Sequence, residues 1–195
     1  MTANVAVIYY SATGSVHALA RAVAEGATEA GAQVRLRRVA ETPFADIPPA
    51  AVEDLAWADA YAFGTPSRFG TPAAPLKHFI DEAVGLWQEG ALADKAATAF
   101  TSAHNRHGGS EATLLSLANV FYHWGAVIVP PGYTDPAVYA AGGNPYGTTA
   151  VSGPAGEDLQ TAALDAARYQ GQRLARTAML LRAGSEMLAG TAVHA

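Results

Sequence analysis

Three short segments, each rich in hydroxyl groups, glycine or histidine, carry the side chains of this sequence that could do chemistry. The first is residues 10–15, where serine and threonine surround Gly14 directly before a helical pattern. Backbone N–H groups at the start of a helix, together with the helix dipole, can bind a phosphate group without any cation. The segment matches neither the dinucleotide fingerprint nor the NTPase P-loop. It therefore predicts either a phosphate-binding turn or an ordinary helix N-cap of small polar residues.

The second segment, residues 64–70, reads Gly-Thr-Pro-Ser-Arg-Phe-Gly and follows a short apolar run. Pro66 restricts the backbone, and Gly70 permits a tight return. The polar and aromatic side chains between them could meet the edge and face of a flat ring. A buried Phe69 and a surface Arg68 would explain the same residues without a ligand.

The third segment, residues 102–111, contains two adjacent glycines that would let a ligand approach the backbone closely. Ser110 can cap the helix that is predicted to follow. His104 and His107 raise the question of a metal site, but they lack a carboxylate at ligand spacing. We therefore predict that both histidines face solvent and that the chain binds no metal.

Apolar runs alternate with helical patterns along the chain, which predicts an α/β fold. The predicted strands are 5–9, 33–37, 60–64, 96–101 and 126–129. The longer predicted helices are 16–27, 72–83, 110–123 and 157–181. Such alternation is typical of a doubly wound five-stranded parallel sheet with helices on both faces, where ligands bind at the carboxyl ends of the strands. All three segments follow predicted strands. We expect residues 1–183 to form one domain and residues 184–195 a loose tail.

The composition excludes several classes of protein. The chain has 195 residues, enough for one domain with a sizeable core. With 17 acidic and 12 basic residues its net charge is −5, which does not suit nucleic-acid binding. It has no cysteine, and no apolar stretch reaches the roughly 20 residues of a membrane helix. We therefore expect a cytoplasmic protein without nucleic-acid or membrane partners.

From residue 5 to about residue 181 the sequence resembles the WrbA family of flavodoxin-like NAD(P)H:quinone oxidoreductases. The most specific shared run is the one at 64–70. Further matching runs lie at 9–11, 20–27, 85–87, 127–130, 142–147 and 167–171. The resemblance implies strand order 2-1-3-4-5, non-covalently bound FMN, and a homotetramer whose active sites form where subunits meet. A charged fraction of only 15%, against a typical ~25%, agrees with surface covered by other subunits.

The resemblance also assigns roles to individual residues. The implied FMN-binding residues are Ser11, Ala12, Thr13, Gly14, Ser15, Val16, Thr65, Pro66, Ser67, Arg68, Phe69, Gly70, Ser102, Ala103, His104, Asn105, Gly108 and Gly109. The implied catalytic residues are Trp87, over the flavin pocket, and His123 and Trp124, on its substrate side. Three features depart from the family pattern. Residues 104–111 replace a glycine-rich stretch, Trp124 replaces the histidine nearest the flavin, and the connection between residues 41 and 56 is shorter than in many relatives.

The activity that the resemblance implies is two-electron reduction of a quinone by NAD(P)H, in a ping-pong hydride transfer for which FMN carries the chemistry. A flavodoxin-type single-electron carrier is the alternative from a different class. It is disfavoured because the third segment has no aromatic residue to cover the flavin, and because the net charge is modest. An FMN reductase that acts on an azo compound or free flavin stays open, as does a non-catalytic FMN-binding protein. The choice between NADH and NADPH also stays open.

Overall fold

A parallel sheet is the centre of the computed structural model, which describes residues 2–44, 46–153 and 160–192, with side chains through residue 189. The strands are β1 (Asn4–Tyr9), β2 (Gln33–Arg38), β3 (Ala60–Arg68), β4 (Thr71–Pro72), β5 (Ala96–Ala103), β6 (Val127–Ile128) and β7 (Thr149–Val151). The main order is β2-β1-β3-β5-β6, with β4 antiparallel to β3 and β7 parallel to β5. Apart from the two short extra strands, this is the predicted order 2-1-3-4-5, and the predicted α/β fold class is confirmed.

Helices cover both faces of the sheet. They are α1 (Ser15–Glu29), α2 (Val52–Trp57), α3 (Ala74–Glu82), α4 (Val84–Gln88), α5 (Ser110–Trp124), α6 (Pro136–Ala140) and α7 (Thr161–Ala192). Because side chains alternate along a strand, β1 supplies both halves of the core. Val5, Val7 and Tyr9 are buried with residues of α1 and α7. Ala6 and Ile8 are buried on the other face with residues of α2, α3 and α5.

Glycines let α1 and α7 approach each other closely. A Cβ atom added to Gly26 would lie 1.9 Å from the carbonyl oxygen of Arg168, and one added to Gly171 would lie 2.0 Å from that of Val23. Neither position has room for a side chain, because the obstructing atoms belong to the backbone of the partner helix. The two glycines therefore set the distance between the helices that cover one face of the sheet.

The last helix is longer than the sequence indicates. A loose tail is predicted from Gly184 onward, but α7 continues to Ala192. The residues after Gly184 are mostly good helix formers, and an Arg182–Glu186 ion pair of 3.1 Å spans the glycine. The predicted start at residue 157 lies outside the described residues. Within the described ranges, no helix is both long and apolar enough to cross a membrane.

The strand ends also differ from the predicted bounds. β3 and β5 extend past the predicted ends to Arg68 and Ala103, so much of the second predicted loop is strand. Pro72, predicted as the first residue of a helix, belongs to β4 instead, and α3 begins at Ala74. β6 has only two residues, because the prolines at 130 and 131 have no N–H group to continue the ladder.

Candidate functional site

The three chemically interesting segments meet in one cleft at the carboxyl ends of β1, β3 and β5. The cleft has a volume of about 220 Å³. Its lining residues are Ser11, Ala12, Thr13, Val16, Pro66, Ser67, Arg68, Ser102, Ala103, His104, Ser152 and Gly153. Most of these belong to the predicted FMN-binding set. Parallel strands place their carboxyl ends at the same edge of a sheet, and this topology accounts for the convergence.

The turn before α1 is built around a glycine in the left-handed region. Gly14 is the N-cap of the helix with φ +110°, and its N–H donates to the Ser11 hydroxyl oxygen at 3.1 Å. Ser15, the first residue of the helix, is only 3% exposed. Among the described residues its Oγ finds no hydrogen-bond partner. A buried hydroxyl without a partner is costly, so a ligand that accepts its hydrogen bond would bind here favourably.

The hydroxyls of the second segment hold the protein together. Thr65 Oγ1 accepts a hydrogen bond from the Ala73 N–H at 2.9 Å, which fixes the start of α3. Ser67 Oγ donates to the Gly108 carbonyl at 2.6 Å, which ties the second segment to the third. Both hydroxyls are therefore engaged within the chain, although both residues were assigned to FMN binding. Ser67 still lines the cleft, whereas Thr65 is completely buried.

The β3–β4 turn presents an aromatic ring to solvent. Phe69 has φ +55°, which is uncommon for a bulky residue, and its side chain is fully exposed. Backbone strain of this kind persists only where the surroundings impose it. The next residue, Gly70, packs tightly against Gly109, because a Cβ atom on Gly109 would lie 2.7 Å from the Gly70 Cα atom.

The third segment begins α5 through a glycine. Gly109 is the N-cap with φ +81°, and Ser110 is the first residue of the helix, so the predicted Ser110 cap is wrong. A left-handed N-cap favours glycine, which explains the difference. His104 and His107 are exposed. In the part of the chain that the structure describes, no group of three or more histidine or acidic side chains could hold a metal ion.

The three residues assigned to catalysis lie together but away from the cleft. Trp87, His123 and Trp124 line a separate cavity of about 470 Å³, and the Trp87 indole N–H donates to the His123 carbonyl at 2.9 Å. Ser110 and Trp124 are the two ends of α5, which places them roughly 21 Å apart along its axis. The cavity that Trp87, His123 and Trp124 line therefore lies at the C-terminal end of α5, whereas the third segment lies at its N-terminal end.

Trp124 is a core residue. It is 8% exposed, and its ring meets the rings of Tyr61 and Phe63 edge-on at 5.8 Å. Such edge-to-face contacts stabilise the core beyond simple burial. Trp124 is thus packed between α5 and the sheet and also borders the cavity of Trp87 and His123, and its role on the substrate side stays a prediction.

Two groups of residues near the cleft have no counterpart in the sequence predictions. Ser152 and Gly153 line the cleft directly after β7, a strand too short to leave a periodic pattern. Behind the first turn, the Tyr9 hydroxyl lies 2.5 Å from His17 Nδ1, and the His17 ring stacks on Phe44 at 4.1 Å. Burial raises the pKa of Tyr9 to about 12, and it lowers the pKa of His17.

Comparison with known proteins decides the family. Residues 3–136 match the family model described as NADPH-dependent FMN reductase. The chain belongs to this family. Two relatives named NAD(P)H dehydrogenase (quinone) are similar over most of their length. The protein from Deinococcus radiodurans is 44% identical over 168 residues, which cover 76% of this chain and 84% of the relative. The one from Rhodopseudomonas palustris is 43% identical over 196 residues, which cover 92% and 98%.

Solved structures agree with this membership of the FMN reductase family. A WrbA-like flavodoxin protein from Agrobacterium tumefaciens superimposes with a TM-score of 0.70 at 26% identity, over 92% of this chain and 99% of that one. An archaeal flavodoxin, at 19% identity and a TM-score of 0.64, shares the fold. The resemblance to the WrbA family is confirmed.

The cleft residues fit FMN. The phosphate of FMN needs donors at a helix N-terminus, and the unpartnered Ser15 hydroxyl lies there beside the Gly14 turn. The flat ring needs an open slot at the strand ends, and residues 66–68 and 102–104 line the cleft at the ends of the adjacent strands β3 and β5. Lysine is not required at such a site, because backbone N–H groups and the helix dipole supply the positive potential.

Proposed function

We propose that this protein is an FMN-dependent NAD(P)H:quinone oxidoreductase. The observation that carries the proposal is the buried, unpartnered Ser15 hydroxyl at the start of α1, in a chain whose relatives over nearly their full length are named NAD(P)H dehydrogenase (quinone). The hydroxyl supports a phosphate-bearing ligand, and the relatives' name supports the reaction. Use of NAD(P)H as electron donor also supports a location in the cytoplasm.

Different residues of the cleft bind different parts of the cofactor and its substrates. The Ser11–Gly14 hydrogen bond keeps the turn ready to receive a phosphate. The Ser67–Gly108 bond holds the two ring-contacting loops at a fixed distance, which preorganises the slot before a ligand enters. Bound FMN would supply the redox chemistry, since a flavin can accept and release a hydride. The third segment has no aromatic side chain to cover the ring, which leaves room for a nicotinamide or a quinone.

The proposed function is tested by stopped-flow absorbance of the FMN-loaded protein under anaerobic conditions. NADH and NADPH are mixed in separate runs, and benzoquinone follows. We expect rapid loss of the flavin absorbance band, full recovery with quinone, and one hydroquinone formed for each NAD(P)H consumed. Failure of both nicotinamides to bleach a demonstrably bound flavin would contradict the proposal. A flavin radical signal, with only half a hydroquinone formed for each NAD(P)H consumed, would favour the single-electron carrier. Recovery of the flavin absorbance band with an azo compound but not with quinone would favour another acceptor.

We further propose that the active unit is a homotetramer in which Trp87 of one subunit completes the cleft of another. Trp87 is 47% exposed, and the Phe69 ring beside the cleft is fully exposed. Large exposed aromatic side chains are typical of association surfaces. Trp87 and His123 lie at the end of α5 that is roughly 21 Å from the third segment, which favours a role for them in the cleft of another subunit.

Replacement of Trp87 by alanine should lower kcat/KM for the quinone about tenfold, because a stacking aromatic surface is lost from the substrate side. The affinity of the apoprotein for FMN should change little. The matched control is Trp87→Phe, which keeps an aromatic ring and removes only the N–H bond to His123. Sedimentation velocity should show a tetramer for the wild type. A fully active monomer, or undiminished activity of the alanine variant, would contradict the proposal.

A further inference from the structure

Three rings lie in a row behind the turn that precedes α1. Tyr9, at the end of β1, places its hydroxyl 2.5 Å from His17 Nδ1. The other face of the imidazole stacks on Phe44, with 4.1 Å between ring centroids and an angle of 3° between planes. Phe44 in turn approaches the turn itself, because a Cβ atom on Gly14 would lie 3.5 Å from its Cζ. The Phe44 ring therefore links the imidazole to the turn that is proposed to bind the phosphate, and His17 itself does not line the cleft.

This position makes the charge of His17 unfavourable in the absence of a ligand. His17 lies in the first turn of α1, where the helix dipole opposes a positive charge. Burial lowers its pKa, the guanidinium of Arg21 on the same helix lowers it further, and Asp46 in the connection after β2 raises it. From β1 only the Tyr9 hydroxyl faces it, and a pKa of about 12 keeps that hydroxyl protonated. Tyr9 and Nδ1 share one hydrogen bond, in which either atom can be the donor while the imidazole is neutral.

We propose that His17 takes up a proton when a phosphate dianion binds the turn formed by Ser11, Gly14 and Ser15, so that retention of FMN is linked to pH. The proposal rests on the proposed function, because it requires FMN at this turn. The proton completes the imidazolium, whose Nδ1–H donates a hydrogen bond to the Tyr9 oxygen. No other bond is made or broken.

The sign of the effect follows from linkage. A dianion bound at the turn before α1 stabilises a positive charge on His17 in the first turn of that helix, and so raises the pKa of His17 relative to the ligand-free protein. By reciprocity, the contribution of His17 to FMN affinity grows as pH falls through that pKa and is absent well above it. The FMN phosphate itself has a second pKa of about 6, and its protonation opposes this trend. Only a comparison of the wild type with a His17 variant separates the contribution of His17 from that of the phosphate.

The test is FMN binding to the apoprotein, followed by quenching of flavin fluorescence, for the wild type and His17→Gln. Glutamine can still accept the Tyr9 hydrogen bond but does not titrate. We expect the ratio of wild-type to variant affinity to rise about tenfold between roughly pH 8 and pH 5.5, as for a shift of about one pKa unit. A purely structural role would lower the affinity of the variant by the same factor at every pH and would overturn the proposal.

Two measurements on the wild type remove any dependence on how well the variant folds. Isothermal titration in buffers of different ionisation enthalpy should show net proton uptake near neutral pH when FMN binds. The NMR signal of the His17 ring carbon between its nitrogens should move towards the protonated position. If FMN binds with no His17 protonation, this proposal fails and the proposed function stands. If FMN does not bind at any pH, both fail.

Discussion

Replacement of Gly171 by alanine should lower the free energy of unfolding by about 3 kcal/mol, because a methyl group has no space at this crossing of α1 and α7. The added Cβ would lie 2.0 Å from the Val23 carbonyl oxygen, which belongs to the backbone of the neighbouring helix. Backbone cannot rotate away as a side chain does, so the helices must separate. Urea denaturation followed by circular dichroism measures the change.

A second glycine in the same helix offers a matched control, for which the free energy of unfolding should change in the opposite direction. Gly184 also lies within α7, but a Cβ atom there would meet nothing within 4 Å. Gly184→Ala should therefore raise the free energy of unfolding by up to about 1 kcal/mol, through helix propensity alone. Equal effects of the two substitutions would show that helix propensity, and not the close crossing of α1 with α7, determines the cost.

The central sheet was predictable because each main strand leaves a local pattern. β1 and β3 are short apolar runs bounded by turn residues, and the alternation of strands with helices limits the topology to a parallel sheet. Strand ends were less predictable. The start of α3, directly after β4, is fixed by the bond from the Ala73 N–H to Thr65 Oγ1, between residues eight positions apart. Residue types alone do not reveal such a bond.

Contacts that are distant in sequence account for what was missed. Gln170 is 1% exposed, and its Nε2 donates to Thr98 Oγ1 at 2.6 Å, across 72 positions of the chain. Its Oε1 accepts from the Thr148 N–H and so connects β5 to the segment before β7. The sequence pattern around a glutamine on a long helix does not indicate that its side chain is buried. Because this contact could not be foreseen, β7 and the Ser152 that follows it were not predicted.

For a similar reason, the sequence predicts which segments form the candidate site but not what each side chain in them does. The three cleft segments could be recognised by their hydroxyls and glycines, and the topology brings them to one edge. Side-chain roles within them were not predictable, because Thr65 and Ser67 use their hydroxyls on the protein itself. Trp124 was assigned by its place in the family pattern, whereas its volume fills the core against Tyr61.

Removal of the Ser15 hydroxyl should separate folding from cofactor binding. Ser15→Ala deletes a buried Oγ that has no partner among the described residues, so the free energy of unfolding of the apoprotein should stay unchanged or rise by about 1 kcal/mol. FMN affinity should instead fall roughly tenfold to a hundredfold, the range for a hydrogen bond to a charged group. Thermal denaturation of the apoprotein and flavin fluorescence quenching measure the two effects.

Thr148→Val is the matched control for this prediction. Thr148 Oγ1 is likewise buried without a partner in the described ranges, but the residue directly precedes β7 and does not line the cleft. Its replacement by valine, an apolar residue of the same shape, should leave FMN affinity unchanged and should raise the free energy of unfolding about as much as Ser15→Ala does. If Ser15→Ala also leaves FMN affinity unchanged, the phosphate does not bind at the α1 N-terminus. The proposal would then have lost the observation on which it depends, whatever reaction the relatives catalyse.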